Sequence, residues 1–432
     1  MTRLPSPADP RLEQAQILLR QGKLREAETL LVDLLDEQPH SLPALEQLAR
    51  LAWQRGERDR AIDYLQRAAA HHPERSELAM ELALMCANNG QQARASELLT
   101  SLLREQPQHP PAWLLLGQLR QAGGDPLGAA RAWYQAITYA QAQGLWRGVD
   151  STPPHLLHAV KGAIAHVRQA RREFLWNAYA DLRDRFGAEA LKRVDRALQT
   201  YLGEIDVKPS DARQRPKVLY FPDLPSEPYL DPYLQPWAND LRDAFPSILA
   251  EAQALLAEGA EFVDFMGFKP GDSTERYLGG TGNKPAWDAF FFYRHGQRFD
   301  ANHTRCPNTS AVLESIELCR IRSQAPEICF SFLSAGSHIK PHYGVTNTRV
   351  VMHLPLIVPP GCALNIIDAG EHEWQPGRLM MFDDTYQHEA WNRSDQDRLI
   401  LLMDCWNPYL RDVEREAVKR LVEALTEFEA GL

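Results

Sequence analysis

The chain has 432 residues, 44% of them hydrophobic and 24% charged, with a formal net charge of −10 at neutral pH. That length is too great for one ordinary core and predicts two or three domains, while the acidic balance excludes a general attraction to nucleic acid or anionic membrane. The opening MTRLPSPADP has no apolar segment of the signal-peptide kind, and no run approaches the ~18 apolar residues of a membrane span, so a cytoplasmic protein is expected. Six cysteines, at positions 86, 306, 319, 329, 362 and 405, form no CxxC pair, which predicts reduced thiols rather than disulfides or a zinc knuckle.

Residues 8–141 repeat themselves. Gly22, Gly56, Gly90 and Gly124 follow one another at intervals of 34 residues, as do Ala27, Ala61, Ala95 and Ala129, and Pro39, Pro73 and Pro107 keep the same period. Gly at an inter-helix turn, Ala where two helices touch and Pro closing the second helix resemble the tetratricopeptide repeat, and four repeats are expected. Each helix pair has an apolar side it cannot bury alone, so stacking predicts an all-α, right-handed solenoid whose concave face would take a peptide or protein partner. Extension of the fold or dimerisation is the alternative use of such helices.

Residues 142–204 lose the period. Pro153-Pro154 interrupts, and LLHAVKGAIAHVRQARREFLWNAYADLRDRF then carries apolar residues at helical spacing, a helical capping or linker region. His155, His158 and His166 fall here without a carboxylate or cysteine to complete a ligand set, so they are read as surface or packing residues. The polar, Pro-containing stretch 205–216 opens a third domain, 205–432. Within it PWANDLRDAFPSILAEAQALLAE reads as one amphipathic helix and 286–294 as a strand, and CPNTSAVLESI leads to a helix capped by Asn308, Thr309 or Ser310.

The chemistry concentrates in residues 326–408. Short β-rich runs at 349–358, 362–368, 379–382 and 398–404, separated by Pro-Pro-Gly, an acidic Gly-containing loop and Pro-Gly, predict an antiparallel jelly roll, giving an α+β multidomain protein with a C-terminal double-stranded β-helix. His342 stands at a Gly/Asn/Thr-rich turn and His388 follows the Asp-Asp turn, both at strand ends. Alternation puts Arg398, Ile400 and Leu402 on one face, and likewise Arg349, Val351 and His353. An arginine on an apolar face calls for an anion. Two imidazoles and such a cation are what an iron(II) oxygenase using 2-oxoglutarate requires. The carboxylate of the usual three-ligand site lies two residues after the first histidine, and Gly344 is found there. Asp383 and Asp384 are read as turn residues, and Glu389 as pointing away from the metal.

The segment His342-Tyr-Gly-Val-Thr-Asn-Thr-Arg, the Phe-Asp-Asp before His388-Glu, and Asp404-Cys-Trp-Asn-Pro together resemble the aspartyl/asparaginyl β-hydroxylase family. The resemblance covers about the last half of the chain. It implies iron(II) held by His342 and His388 alone, with 2-oxoglutarate as cosubstrate and O2 as oxidant. By the same resemblance Ser331 and Arg398 hold the distal carboxylate, His353 supports the chelating end, and Arg349 meets a carboxylate of cosubstrate or substrate. Arg298 matches a basic residue that could reach a substrate. Other members can carry a second arginine where this chain has Val351. The expected activity is hydroxylation of an aspartyl/asparaginyl residue or related amino-acid unit of a peptide, protein or small molecule. A non-catalytic cupin-like scaffold beside a peptide-binding solenoid is the alternative from another class, and a zinc hydrolase lacks a third ligand and a positioned base.

Overall fold

The computed structural model describes residues 9–268, 273–281 and 285–431; positions 8 and 432, the outer limits of the expected first and last domains, lie outside them. Two compact units result, one running to Arg171 and taking in the segment from Phe428, the other Arg172–Glu427.

In the first unit the 34-residue period becomes four helix pairs: Pro10–Arg20 with Leu24–Glu37, Leu42–Gln54 with Arg58–His71, Ser76–Asn88 with Gln92–Glu105, and Pro110–Ala122 with Pro126–Ala142. Gly22, Gly56, Gly90 and Gly124 turn each pair at φ between +75° and +82°, where a side chain would be strained. The four periodic alanines have no exposed surface, so a methyl is the most the helix contact admits. The chain's far end belongs to this unit too: Gln135 Nε2 donates to Glu429 O at 2.5 Å, and the Tyr134 and Phe428 rings meet edge to face.

The second unit contains the β structure. Its strands are β1 (Tyr229–Leu230), β2 (Val263–Asp264), β3 (Leu278–Gly280), β4 (Trp287–Arg294), β5 (Gln297–Arg298), β6 (Ile328–Leu333), β7 (Ser337–His342), β8 (Arg349–Ile357), β9 (Cys362–Ile366), β10 (Gly370–Glu373), β11 (Met380–Phe382), β12 (His388–Asn392) and β13 (Arg398–Trp406). One sheet runs β1-β11-β8-β13-β6-β4-β2, with β5 beside β4, and the other runs β10-β9-β12-β7-β3; all these pairings are antiparallel. Two antiparallel sheets with crossed strand order make the expected jelly roll. On the outer side of the larger sheet, Val350, Met352 and Leu354 pack with Leu399, Leu401 and Met403 in an apolar core. The odd-numbered residues of β8 and the even-numbered residues of β13 are thereby turned inward.

Within the expected capping or linker region 142–204, the division between the two units falls at Arg171/Arg172. The helices Ala180–Phe186 and Ala188–Tyr201 bury Leu182, Leu191, Val194 and Leu198 in a core shared with Phe221, Trp406 and Leu421. The single helix expected after Trp237 is two, Ala238–Asp243 and Phe245–Ala257. Pro246 is the cause, since it offers no N–H and its ring crowds the preceding turn. The helix Pro307–Ser315 is capped from outside its own sequence: the Glu251 carboxylate accepts from Asn308 N at 2.7 Å and Thr309 N at 2.8 Å.

Candidate active site

The two sheets enclose a cavity of about 370 Å³. His342 ends β7 and His388 begins β12, and the register of those neighbouring strands puts the two residues directly opposite each other. Their ring centroids are 4.1 Å apart. His342 Nδ1 donates to Lys340 O at 2.9 Å and His388 Nδ1 to Tyr386 O at 3.0 Å. With each Nδ1 engaged as a donor, each Nε2 keeps its lone pair. Burial lowers the pKa of both rings, that of His388 to about 3 with His342 adding to the effect, so both are neutral and able to ligate at ordinary pH.

Arg398 begins β13 and its guanidinium enters the cavity with 1% of its surface exposed. No carboxylate pairs with it among the described residues; its Nε has no hydrogen-bond partner, and its neighbour is the face of Trp374 at 5.0 Å. Burial brings its pKa down to about 10, which still leaves it a cation. A buried guanidinium without a counter-charge is costly, and the arrangement calls for an anionic ligand. Ser331 on β6 lines the same cavity, and its Oγ accepts from Trp287 Nε1 at 3.1 Å, leaving the hydroxyl proton free to donate. His353 Nδ1 accepts from Trp374 Nε1 at 3.2 Å, so the ring proton lies on Nε2, which is buried and unpartnered. Burial first, then Arg398 and His388, hold His353 neutral.

The structure brings together His342, His388, Ser331, His353, Arg349 and Arg398 and leaves Arg298 out. Arg298 is bound to Asp300 and, at 3.2 Å, to Glu314. Arg349 reaches the cavity but is engaged by the Asp404 carboxylate of its own chain. The two turn aspartates differ. Asp383 accepts from Thr385 N at 2.9 Å and from Gln214 at 2.6 Å, a turn role. Asp384 instead lines the cavity, with its carboxylate in the space a side chain at Gly344 would need: a Cβ there would lie 2.1 Å from Asp384 Cγ. Burial and the neighbouring Asp383 push the Asp384 carboxyl up to about 7. Glu389 faces away, accepting from Asn365 at 2.9 Å and lying 2.7 Å from His338 Nε2. Among the described residues no group of three or more His, Cys, Asp or Glu side chains gathers as a metal cage.

Trp374, Trp287 and Glu327 also line the cavity and were not singled out from sequence. Trp374 precedes a Pro-Gly turn, and nothing in the local pattern points it at β8. Trp287 had a signal, since it opens the aromatic strand whose alternate residues face inward.

Residues 242–408 match the family model described as "Aspartyl/Asparaginyl beta-hydroxylase", and residues 46–110 and 88–144 match the tetratricopeptide repeat. The chain is 28% identical over 249 residues to the rat "Aspartate beta-hydroxylase domain-containing protein 2", covering 56% of this chain and 69% of the relative. It is 32% identical over 192 residues to the "Ornithine lipid ester-linked acyl 2-hydroxylase" of Rhizobium tropici, covering 44% and 64%. Against the mouse "Aspartyl/asparaginyl beta-hydroxylase" it is 33% identical over 139 residues, 31% of this chain and 18% of that one. The jelly roll with its histidine pair and the helix pairs ahead of it each agree with the match to their own part of the sequence: residues 242–408 match the aspartyl/asparaginyl β-hydroxylase domain, and tetratricopeptide repeats precede it.

Proposed function

We propose that this hydroxylase is an iron(II)- and 2-oxoglutarate-dependent dioxygenase. The observation that carries the reading is Arg398, a buried cation with no carboxylate paired to it among the described residues, in the same cavity as two neutral imidazoles whose Nδ1 atoms donate to backbone carbonyls and so leave the lone pair on Nε2. The donor set fits the missing groups: imidazole nitrogens suit iron(II), and Arg398, the Ser331 hydroxyl and His353 Nε2 are three donors for carboxylates.

When bound, iron and 2-oxoglutarate supply the activation of O2 and the transfer of one oxygen atom to a C–H bond, with succinate and carbon dioxide as coproducts. The chain's own residues hold and orient. His342 and His388 would hold the metal by Nε2, their carbonyl partners fixing tautomer and ring angle. Arg398 and Ser331 would bind the distal carboxylate of 2-oxoglutarate, Trp374 stacking on the guanidinium and donating to His353 so that His353 presents an N–H. Trp287 and Phe265, stacked at 4.1 Å, add an apolar wall to the cavity. No side chain need act as a base.

The relatives' names include an aspartyl/asparaginyl hydroxylase and an acyl 2-hydroxylase, so hydroxylation of an aspartyl/asparaginyl residue or related amino-acid unit is supported by one and a lipid chain by another. The repeats, a fold used for protein interaction, would recruit the partner that carries the substrate. The test is anaerobic titration with iron(II) and 2-oxoglutarate, followed in air by assay of succinate and mass spectrometry for a gain of one oxygen. Iron-dependent succinate is expected. Failure to bind 2-oxoglutarate would leave the cupin-like scaffold as the better reading.

A further inference from the structure

With Arg398 assigned to the distal carboxylate of 2-oxoglutarate, the cavity lining keeps no unpaired arginine or lysine for a second, entering acid among the described residues. Val351 stands between Arg349 and His353 on the inward face of β8, paired with Asp404 on one side and Phe382 on the other. Arg349 cannot take its place. Its Nη1 is bound to Asp404, whose other carboxylate oxygen accepts from Glu327 N at 2.8 Å, so the pair is tied into the backbone where β6 begins. Arg298, the other arginine that could have compensated, is held elsewhere by Asp300 and Glu314. Lys217 is exposed and anchored by its backbone N–H to Gly344 O at 3.1 Å; it is not part of the cavity lining.

The rest of that end is apolar or acidic. Val345, 41% exposed, and Phe265 line the cavity. Besides Arg398 and the Arg349–Asp404 pair, the titratable side chains on the lining, apart from the histidines of the site, are Asp384 and Glu327, the latter 3.4 Å from His295 Nδ1. A carboxylate brought here would lose its hydration and gain no pairing arginine or lysine. A methylene chain would lose nothing on leaving water.

On the hydroxylase reading, we infer that the unit placed beside the metal is an uncharged aliphatic chain and not an aspartyl carboxylate. Such a chain can come from a fatty acyl group or from an aliphatic amino-acid side chain. In either case the polar part of the substrate stays outside.

The experiment uses the full-length protein with iron(II) and 2-oxoglutarate. Succinate release is compared without substrate, with an N-acyl amide, with a leucine-containing peptide and with an aspartate-containing peptide, and each compound is weighed afterwards. Binding of the same three compounds to the iron-free protein is measured by calorimetry. An aliphatic compound is expected to raise succinate release and gain one oxygen; whichever of the two does so identifies the source. The aspartate peptide should leave succinate at its substrate-free level. Val351→Arg should weaken binding of the aliphatic compound by about tenfold and bring measurable binding of the aspartate peptide. Val351→Ala, which adds no bulk, should keep the wild-type preference. An aspartate peptide that is hydroxylated as well as the aliphatic compounds overturns the inference. So does a protein that releases iron-dependent succinate yet binds neither aliphatic compound. A protein that neither binds 2-oxoglutarate nor forms succinate overturns the hydroxylase reading itself, and the inference with it.

Discussion

Arg398 carries a charge that no carboxylate among the described residues pairs with, and its removal should therefore act in opposite directions on stability and on ligand binding. Arg398→Met keeps the length of the side chain and removes the unpaired cation. The metal-free variant should unfold at the same or a higher temperature than the parent, while the stabilisation that 2-oxoglutarate gives the parent disappears. Thermal melts with and without cosubstrate decide it, and an undiminished shift with 2-oxoglutarate would remove Arg398 from the site. With iron present, Arg398→Ala should raise the cosubstrate requirement by an amount equivalent to about 2–5 kcal/mol, and Arg398→Lys should restore part of it, since an ammonium cannot form the guanidinium's paired bonds. His342→Ala or His388→Ala should abolish iron retention in a folded protein, because two ligands cannot spare one; metal analysis after desalting is the measurement. These residues were legible because each lies at a strand end or on a strict two-residue alternation. The split between Asp383 and Asp384 was not legible. Adjacent identical residues in one turn take opposite roles, and the difference comes from Gly344, a residue 40 positions away whose missing side chain leaves the room.

The β-strands were readable from pattern, for β8 and β13 are apolar runs bounded by turn residues in which Arg349, Val351 and His353, and Arg398, Ile400 and Leu402, fall on the cavity side. The helices of the same unit were less so, because their ends are set by single atoms. Pro246 breaks one helix, and Glu251 caps another from a different part of the chain. The start of helix Asp412–Glu429 depends on a comparable contact. Glu414 has no exposed surface and accepts from Arg193 Nε at 2.8 Å and Arg411 Nη2 at 2.8 Å, joining this helix to Ala188–Tyr201. Burial alone would raise its pKa, but the hydrogen bonds from Arg193 and Arg411 outweigh it and lower the value from 4.5 to about 2. A carboxylate depressed in the folded state contributes stability that is complete above its unfolded pKa and is lost as pH falls through the folded one. Glu414→Gln should thus cost about 2–3 kcal/mol at neutral pH, at the low end for a buried pair because Arg193 is partly exposed. The gap between parent and variant should narrow between pH 4.5 and about 2. Denaturant melts at pH 7 and pH 3 would show it, and a gap independent of pH would mean that Glu414 acts by packing alone.

Every residue assigned to the cavity belongs to the second unit, and none belongs to the repeats. A protein lacking residues 1–141 should accordingly still convert 2-oxoglutarate and act on a small substrate, but lose efficiency on a large one. Full-length and shortened proteins are to be compared on one small and one protein substrate, with iron content checked in both. Equal loss on both substrates in an iron-loaded protein would show that the repeats support the site and do not recruit. The repeats themselves were legible to the residue, because a glycine at positive φ and a buried alanine recur at fixed spacing. What the sequence could not disclose is that the repeat unit also takes in Phe428 and the residues after it, since no periodicity connects positions nearly 300 apart. During synthesis each helix pair has its own partner within about 34 residues and can form as it leaves the ribosome. The contacts of Gln135 with Glu429 and of Tyr134 with Phe428 must wait until the whole hydroxylase domain has been translated. Of the two units, the one whose helix pairs can form early therefore also waits on residues made after the other.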